Sequence, residues 1–176
     1  MTFVVKADQM SLEIGSKLLL QEINFEIPEG SLFAILGPNG AGKTLLLRCL
    51  AGLSKPTRGT VNRTAASMAW VPLSQSLPFG FRARDLVMMG RYTSHQGFVQ
   101  KKDYEAVEKA MARTGVESFA ERIYNSLSRG EQTKVDIARA LASEADLILL
   151  DEPFSNLDID SALQTIELFR SLGREG

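Results

Sequence analysis

The octet Gly37-Pro38-Asn39-Gly40-Ala41-Gly42-Lys43-Thr44 constrains this chain more than any other feature. Glycines spaced this closely let the backbone fold so tightly that its N–H groups converge on one point. A lysine and a hydroxyl residue then follow in the order that suits a phosphate group and its metal ion, which is the Walker A spacing. An ordinary glycine-rich turn could carry the same residues, but the flanks argue otherwise. Leu32-Phe33-Ala34-Ile35-Leu36 is an unbroken apolar run, which predicts a strand buried on both faces. Leu45, Leu46, Leu50 and Leu53 fall at helical spacing after the loop, and a helix starting there directs its positive end at the anion. The class this predicts is α/β.

The rest of the chain is consistent with that class. Residues 3–27 read as a β-meander, with Ile23, Phe25 and Ile27 alternating with polar residues and Gly15-Ser16 as a hairpin turn. Residues 67–72 predict a strand broken by Pro72. Residues 77–126 predict a helical insertion, in which Tyr104, Val107 and Met111 share a face. Helices are expected over 131–142 and over 158–172, the second with Leu163, Ile166 and Phe169 on one side and Gly173 at its close. The expected division is one domain over 1–176, with 1–76 and 127–176 as the core and 77–126 as the insertion.

Composition narrows the function. The net charge is −1, so there is no basic surplus to hold nucleic acid. Cys49 is the one cysteine, so no internal disulfide can form and a reducing cytoplasm fits best. The N-terminus lacks a secretory signal, and no stretch reaches the roughly 20 apolar residues that span a bilayer. Action at a membrane would therefore go through a partner.

Two further motifs carry chemistry. Leu147-Ile148-Leu149-Leu150 is an apolar strand that delivers Asp151 and Glu152 at its end, a Walker B arrangement. Asp151 suits Mg²⁺, directly or through water, and Glu152 suits the deprotonation of an attacking water. Alone, the pair could equally be a helix cap or a solvated acid. Leu127-Ser128-Arg129-Gly130-Glu131 stands ahead of a helix. It is a capping box from Ser128 to Glu131, and Ser128 and Gly130 also make an anion site at a helix start.

With Ser155-Asn156-Leu157-Asp158 added, four motifs in order resemble the ABC ATPases, over nearly the whole chain. The third motif is similar to their Leu-Ser-Gly-Gly-Gln signature, with Arg129 at the first glycine, and the fourth to their D-loop. The resemblance implies a P-loop NTPase core with an N-terminal antiparallel β subdomain and an inserted helical subdomain. It implies ATP and Mg²⁺ held by Gly37, Pro38, Asn39, Gly40, Ala41, Gly42, Lys43 and Thr44, with Ser128 and Gly130 reaching the γ-phosphate of an opposite protomer. Thr44, Asp151 and Gln75 would attend the metal, and Glu152, Lys43 and Gln75 the catalysis. Leu73 follows Val71-Pro72 where the family has its Q-loop glutamine, so either Gln75 is displaced into that role or the contact to Mg²⁺ and water is missing. Ile14 stands where the family stacks an aromatic ring on adenine. The family's last strand and switch histidine are expected to be missing, since no histidine follows His95.

Leu86-Val87-Met88-Met89-Gly90-Arg91-Tyr92, with His95 soon after, is similar to ATPases of importers for metal ions, iron–siderophore or haem complexes, and vitamin B12. The methionines are equally explained as core or interface filling, and His95 as a solvated loop residue. The resulting expectation is an ATP-hydrolysing subunit, a homodimer or paired with a second ABC subunit. It would lie on the cytoplasmic face of the plasma membrane through transmembrane permease subunits. Phe79, Phe81 and Met88 are the expected apolar docking residues. Two other readings stay open: a nucleotide-binding module with little turnover, and a soluble ABC ATPase outside transport.

Overall fold

The first β-hairpin forms where apolar and polar residues alternate and a glycine closes the turn. In the computed structural model, which describes residues 2–72, 78–92, 98–155 and 157–175, β1 (Phe3–Ile14) pairs antiparallel with β2 (Lys17–Pro28). Gly15 turns the chain between them at φ 63°. A later strand, β3 (Arg58–Arg63), joins the free edge of β1 to give the antiparallel order β2-β1-β3. Gly59 makes this pairing possible: at φ +70° a Cβ there would lie 2.2 Å from the Gln9 carbonyl oxygen. Sequence reading missed β3, because Val61 is its lone apolar side chain and no alternation shows.

The chain divides into two compact units. The first comprises residues 1–68 and 173–176, with this sheet and helix α1 (Lys43–Leu50). Val5, Met10, Leu12, Leu20 and Ile27 are buried in its strands, and Leu46, Leu47, Cys49 and Leu50 in its helix. Leu53, read as helical, lies beyond α1 and is exposed; Gly52 at φ 74° has already turned the chain.

Residues 32–36 depart from expectation. They lie in no strand, and Leu32, Phe33 and Leu36 are exposed, Leu36 by 90%. An apolar run meets the side-chain demand of a buried strand, but a strand exists only where neighbouring N–H and C=O groups align with it. Among the described residues this run has no ladder partner. Phe33 instead stacks on Phe25, ring centroids 5.3 Å apart.

The second unit, residues 69–172, pairs β4 (Met68–Val71) with β5 (Leu147–Leu150). Its helices are α2 (Ala83–Met89), α3 (Lys101–Thr114), α4 (Arg129–Ala142) and α5 (Ile159–Glu175), the last few residues of α5 falling in the first unit. Leu86, Val87, Val107, Ala110, Met111, Val116, Val135 and Ala138 form one apolar cluster among α2, α3 and α4. The buried face of α3 is Asp103, Val107, Ala110, Met111 and Thr114, whereas Tyr104 points outward at 55% exposure. An ion pair places the acid inside. Helix α5 buries Thr165 and Phe169 and leaves Leu163 exposed. Thr165 satisfies its own hydroxyl by donating to the Ser161 carbonyl at 2.8 Å. Gly173 does not end α5, which runs on to Glu175.

Candidate functional site

The phosphate-type loop belongs to the first unit. Gly40 and Gly42 adopt φ +81° and +90°, the left-handed region that glycine enters without strain. Gly42 is the N-cap of α1, and its carbonyl accepts from the Leu46 N–H at 2.8 Å. A Cβ at Gly42 would strike Leu20 at 2.9 Å, so the left-handed cap is also sterically reserved for glycine. A Cβ at Gly40 would meet nothing, so its glycine serves the backbone angle alone. The first turn of α1 holds no acid and its last turn holds Arg48, the charge order that leaves the N-terminus attractive to an anion. Lys43 arches back over the loop, its Nζ donating to the carbonyls of Gly37 and Pro38 at 3.1 Å each. Residues 37–41 and Thr44 are exposed. The result is an open cradle with one ammonium held above it.

The acid-bearing strand belongs to the second unit. The ladder continues one residue past β5, with the Asp151 N–H donating to the Val71 carbonyl at 2.9 Å. This fixes Asp151 at the strand end with its side chain 5% exposed. Glu152 follows at φ 47°, a left-handed conformation that costs a non-glycine residue roughly 1–2 kcal/mol. Its carbonyl accepts from the Ser155 N–H at 3.0 Å, so a tight turn imposes the angle. Strain of this kind gathers where a side chain must be aimed.

Ser128 to Glu131 forms a reciprocal capping box at the start of α4. Ser128 Oγ accepts from the Glu131 N–H at 3.3 Å, and the Ser128 N–H donates to Glu131 Oε2 at 2.7 Å. The hydrogen bond from the Ser128 backbone, helped by Arg122 at 3.2 Å, holds the Glu131 carboxyl below the ordinary range. With Ser128 as the cap, Arg129 and Gly130 lie in the first turn of α4, not ahead of it. Gly130 is buried there, and a Cβ would lie 2.8 Å from Ser161 Oγ, so the glycine admits the first turn of α5. Asp158 caps α5, accepting from the Ser161 N–H at 2.8 Å and from its hydroxyl at 2.9 Å.

Several expected residues fall elsewhere. Gln75, His95 and Asn156 lie outside the described residues. Ile14 ends β1 beside the hairpin turn, 58% exposed. Phe79 is exposed, but Phe81 and Met88 pack on the helical cluster; Met89 and Tyr92 are the exposed neighbours. Sequence reading took Arg91 as part of a motif and missed its place. Its guanidinium is buried and bonds Asp103, Glu144 and the Ala142 carbonyl. An arginine at a helix end with an acid at the start of the next helix was the available signal.

Among the described residues no group of three His, Cys, Asp or Glu side chains could hold a metal. Mg²⁺ takes few protein ligands and leaves the rest to phosphate and water, so a single carboxylate such as Asp151 at a strand end is chemically suited to it. No helix is long and apolar enough to cross a membrane, among the described residues.

The profile of the ABC transporter family matches residues 20–155. The cobalamin import ATP-binding protein of Halobacterium salinarum is 41% identical over 175 residues, covering 93% of this chain and 44% of that protein. The hemin import ATP-binding protein of Gloeobacter violaceus is 35% identical, covering 98% of this chain and 70% of its own length. A solved structure of a metal-chelate type ABC transporter in an inward-facing conformation superposes with a TM-score of 0.91 at 34% identity, over 99% of this chain and 69% of that one. This chain thus spans under half the length of the cobalamin relative.

Proposed function

The chain belongs to the ABC transporter family, and from that membership we propose that it is the ATP-binding and ATP-hydrolysing subunit of an importer. The cradle carries the reading: two left-handed glycines, a helix start free of acid, and Lys43 bonded to loop carbonyls that a phosphate would replace. Backbone N–H groups of 40–44 would take the phosphate oxygens, and Lys43 would take the β- and γ-phosphates. Thr44 and Asp151 would hold Mg²⁺, which when bound neutralises charge on the phosphates. Glu152 would accept the proton of the attacking water. Ser128 and Gly130 would meet the γ-phosphate bound by an opposite protomer, making the working form a dimer. Gln75 is proposed as the displaced glutamine beside metal and water.

The cargo we propose is a metal ion or a metal complex of the iron–siderophore, haem or cobalamin kind. Relatives named for cobalamin and hemin import, and a metal-chelate transporter among solved structures, support that class. The partners would be transmembrane permease subunits, and the location the cytoplasmic face of the plasma membrane. The test is to co-express the chain with candidate permeases, isolate the assembly, and measure phosphate release from Mg-ATP with and without cargo. Cargo-stimulated release is expected. A chain that neither binds Mg-ATP nor co-purifies with a permease would overturn the reading.

A further inference from the structure

Helix α2 is tied at its start to the segment 120–124 that leads into α4, and at its end to α4 itself. At its start, the N–H groups of Ala83 and Arg84 donate to the carbonyls of Arg122 and Ala120, each at 2.9 Å, and the Tyr124 N–H donates to the Phe81 carbonyl at 2.9 Å. These bonds hold the stretch that runs into Ser128. At its end, Gly90 brings backbone against backbone: a Cβ there would lie 2.2 Å from the Arg139 carbonyl oxygen. Arg91 then closes the contact. Its Nη1 donates to the Ala142 carbonyl at 2.8 Å and to Glu144 Oε2 at 2.7 Å, and its Nε to Asp103 Oδ1 at 3.0 Å. Asp103 also accepts from the Gln100 N–H at 2.8 Å, so one guanidinium ties the ends of α2 and α4 to the start of α3.

The apolar cluster between α2 and α4 is non-directional and would tolerate small slips along the helix axes. Charge-assisted hydrogen bonds from a planar fork would not. A guanidinium 4% exposed is costly to bury, and it persists here because two carboxylates and a carbonyl meet it. We propose that Arg91 is the positioning residue that makes α2 and α4 a single lever, so that force applied to α2 by a membrane subunit moves Ser128 and Gly130 in register. The proposal rests on the importer reading above.

The test uses the full chain assembled with its permease in proteoliposomes. R91K keeps the charge and loses the fork. Basal hydrolysis by the free chain and its affinity for Mg-ATP are expected to be unchanged, while the stimulation of hydrolysis by cargo falls by about 5- to 150-fold, the span of ordinary coupling between sites. Should R91K fail to fold, E144Q decides instead: Glu144 is 66% exposed, so its loss removes one anchor without burying anything, and a smaller fall in stimulation is expected. Full stimulation in the folded variant would overturn the proposal. So would a fall in basal and stimulated rates by the same factor, which would make Arg91 structural only. If the unmutated assembly shows no stimulation at all, the importer reading itself falls, and the lever with it.

Discussion

At the scale of single residues, the roles proposed for Lys43 and Glu152 separate binding from turnover. Lys43 is the ammonium above the cradle, so K43A removes a charge-assisted bond. Its loss should weaken Mg-ATP binding by about 1.5–3 kcal/mol, measured by titration calorimetry, and equal affinity would remove Lys43 from the phosphate. E152Q keeps the shape and the hydrogen bonding of Glu152 and loses the proton acceptor. We expect Mg-ATP affinity to persist while phosphate release falls by about 10²–10⁴, and normal turnover would give the base to another group. Ile14 is exposed beside the hairpin turn and has no ring to stack on a nucleobase. If Ile14 is the residue that faces the nucleobase, stacking of about 1–3 kcal/mol is lacking there, and GTP should bind nearly as well as ATP in competition. A strong preference for ATP would show that another side chain grips adenine.

At the scale of elements, the start of α4 is the informative place. S128A removes the cap from the Glu131 N–H and should lower stability by about 1 kcal/mol, read as a shift in melting temperature. G130A sets two effects against each other. Alanine gains up to about 1 kcal/mol of helix propensity over glycine, less in a first turn. The new Cβ, however, would press on Ser161, at 2.8 Å from Oγ and 3.1 Å from Cβ. Ser161 Oγ is committed to Asp158, so turning it away forfeits that bond. Overpacking of about 1–3 kcal/mol should win, and G130A should melt below the unmutated chain. A rise in melting temperature would mean that α5 moves aside freely.

At the scale of the whole molecule, the proposed dimer is open to test. If Ser128 and Gly130 of one protomer meet the γ-phosphate held by the other, slowing hydrolysis should trap the pair. E152Q with Mg-ATP is expected to run as a dimer in size-exclusion chromatography with light scattering, and as a monomer without nucleotide. A monomer under both conditions would count against the sandwich.

The loop, the acids and the caps were legible in the residue order alone, because these are local. Glycine at 40 and 42 permits φ values that other residues resist, and Ser128 with Glu131 closes a box within one turn. Residue order also made the hairpin legible, since Gly15 and period-two alternation act between neighbours. Contacts between distant segments set the rest. The apolar content of 32–36 could not make a strand without aligned neighbours, and β3 formed with almost no apolar content because the edge of β1 was open. Tyr104 gave up the inner face of α3 to Asp103, because Arg91 stood where only a carboxylate could answer its charge. Hydrophobic periodicity records which side chains prefer burial; hydrogen-bond and ion-pair partners far along the chain decide which of them obtain it.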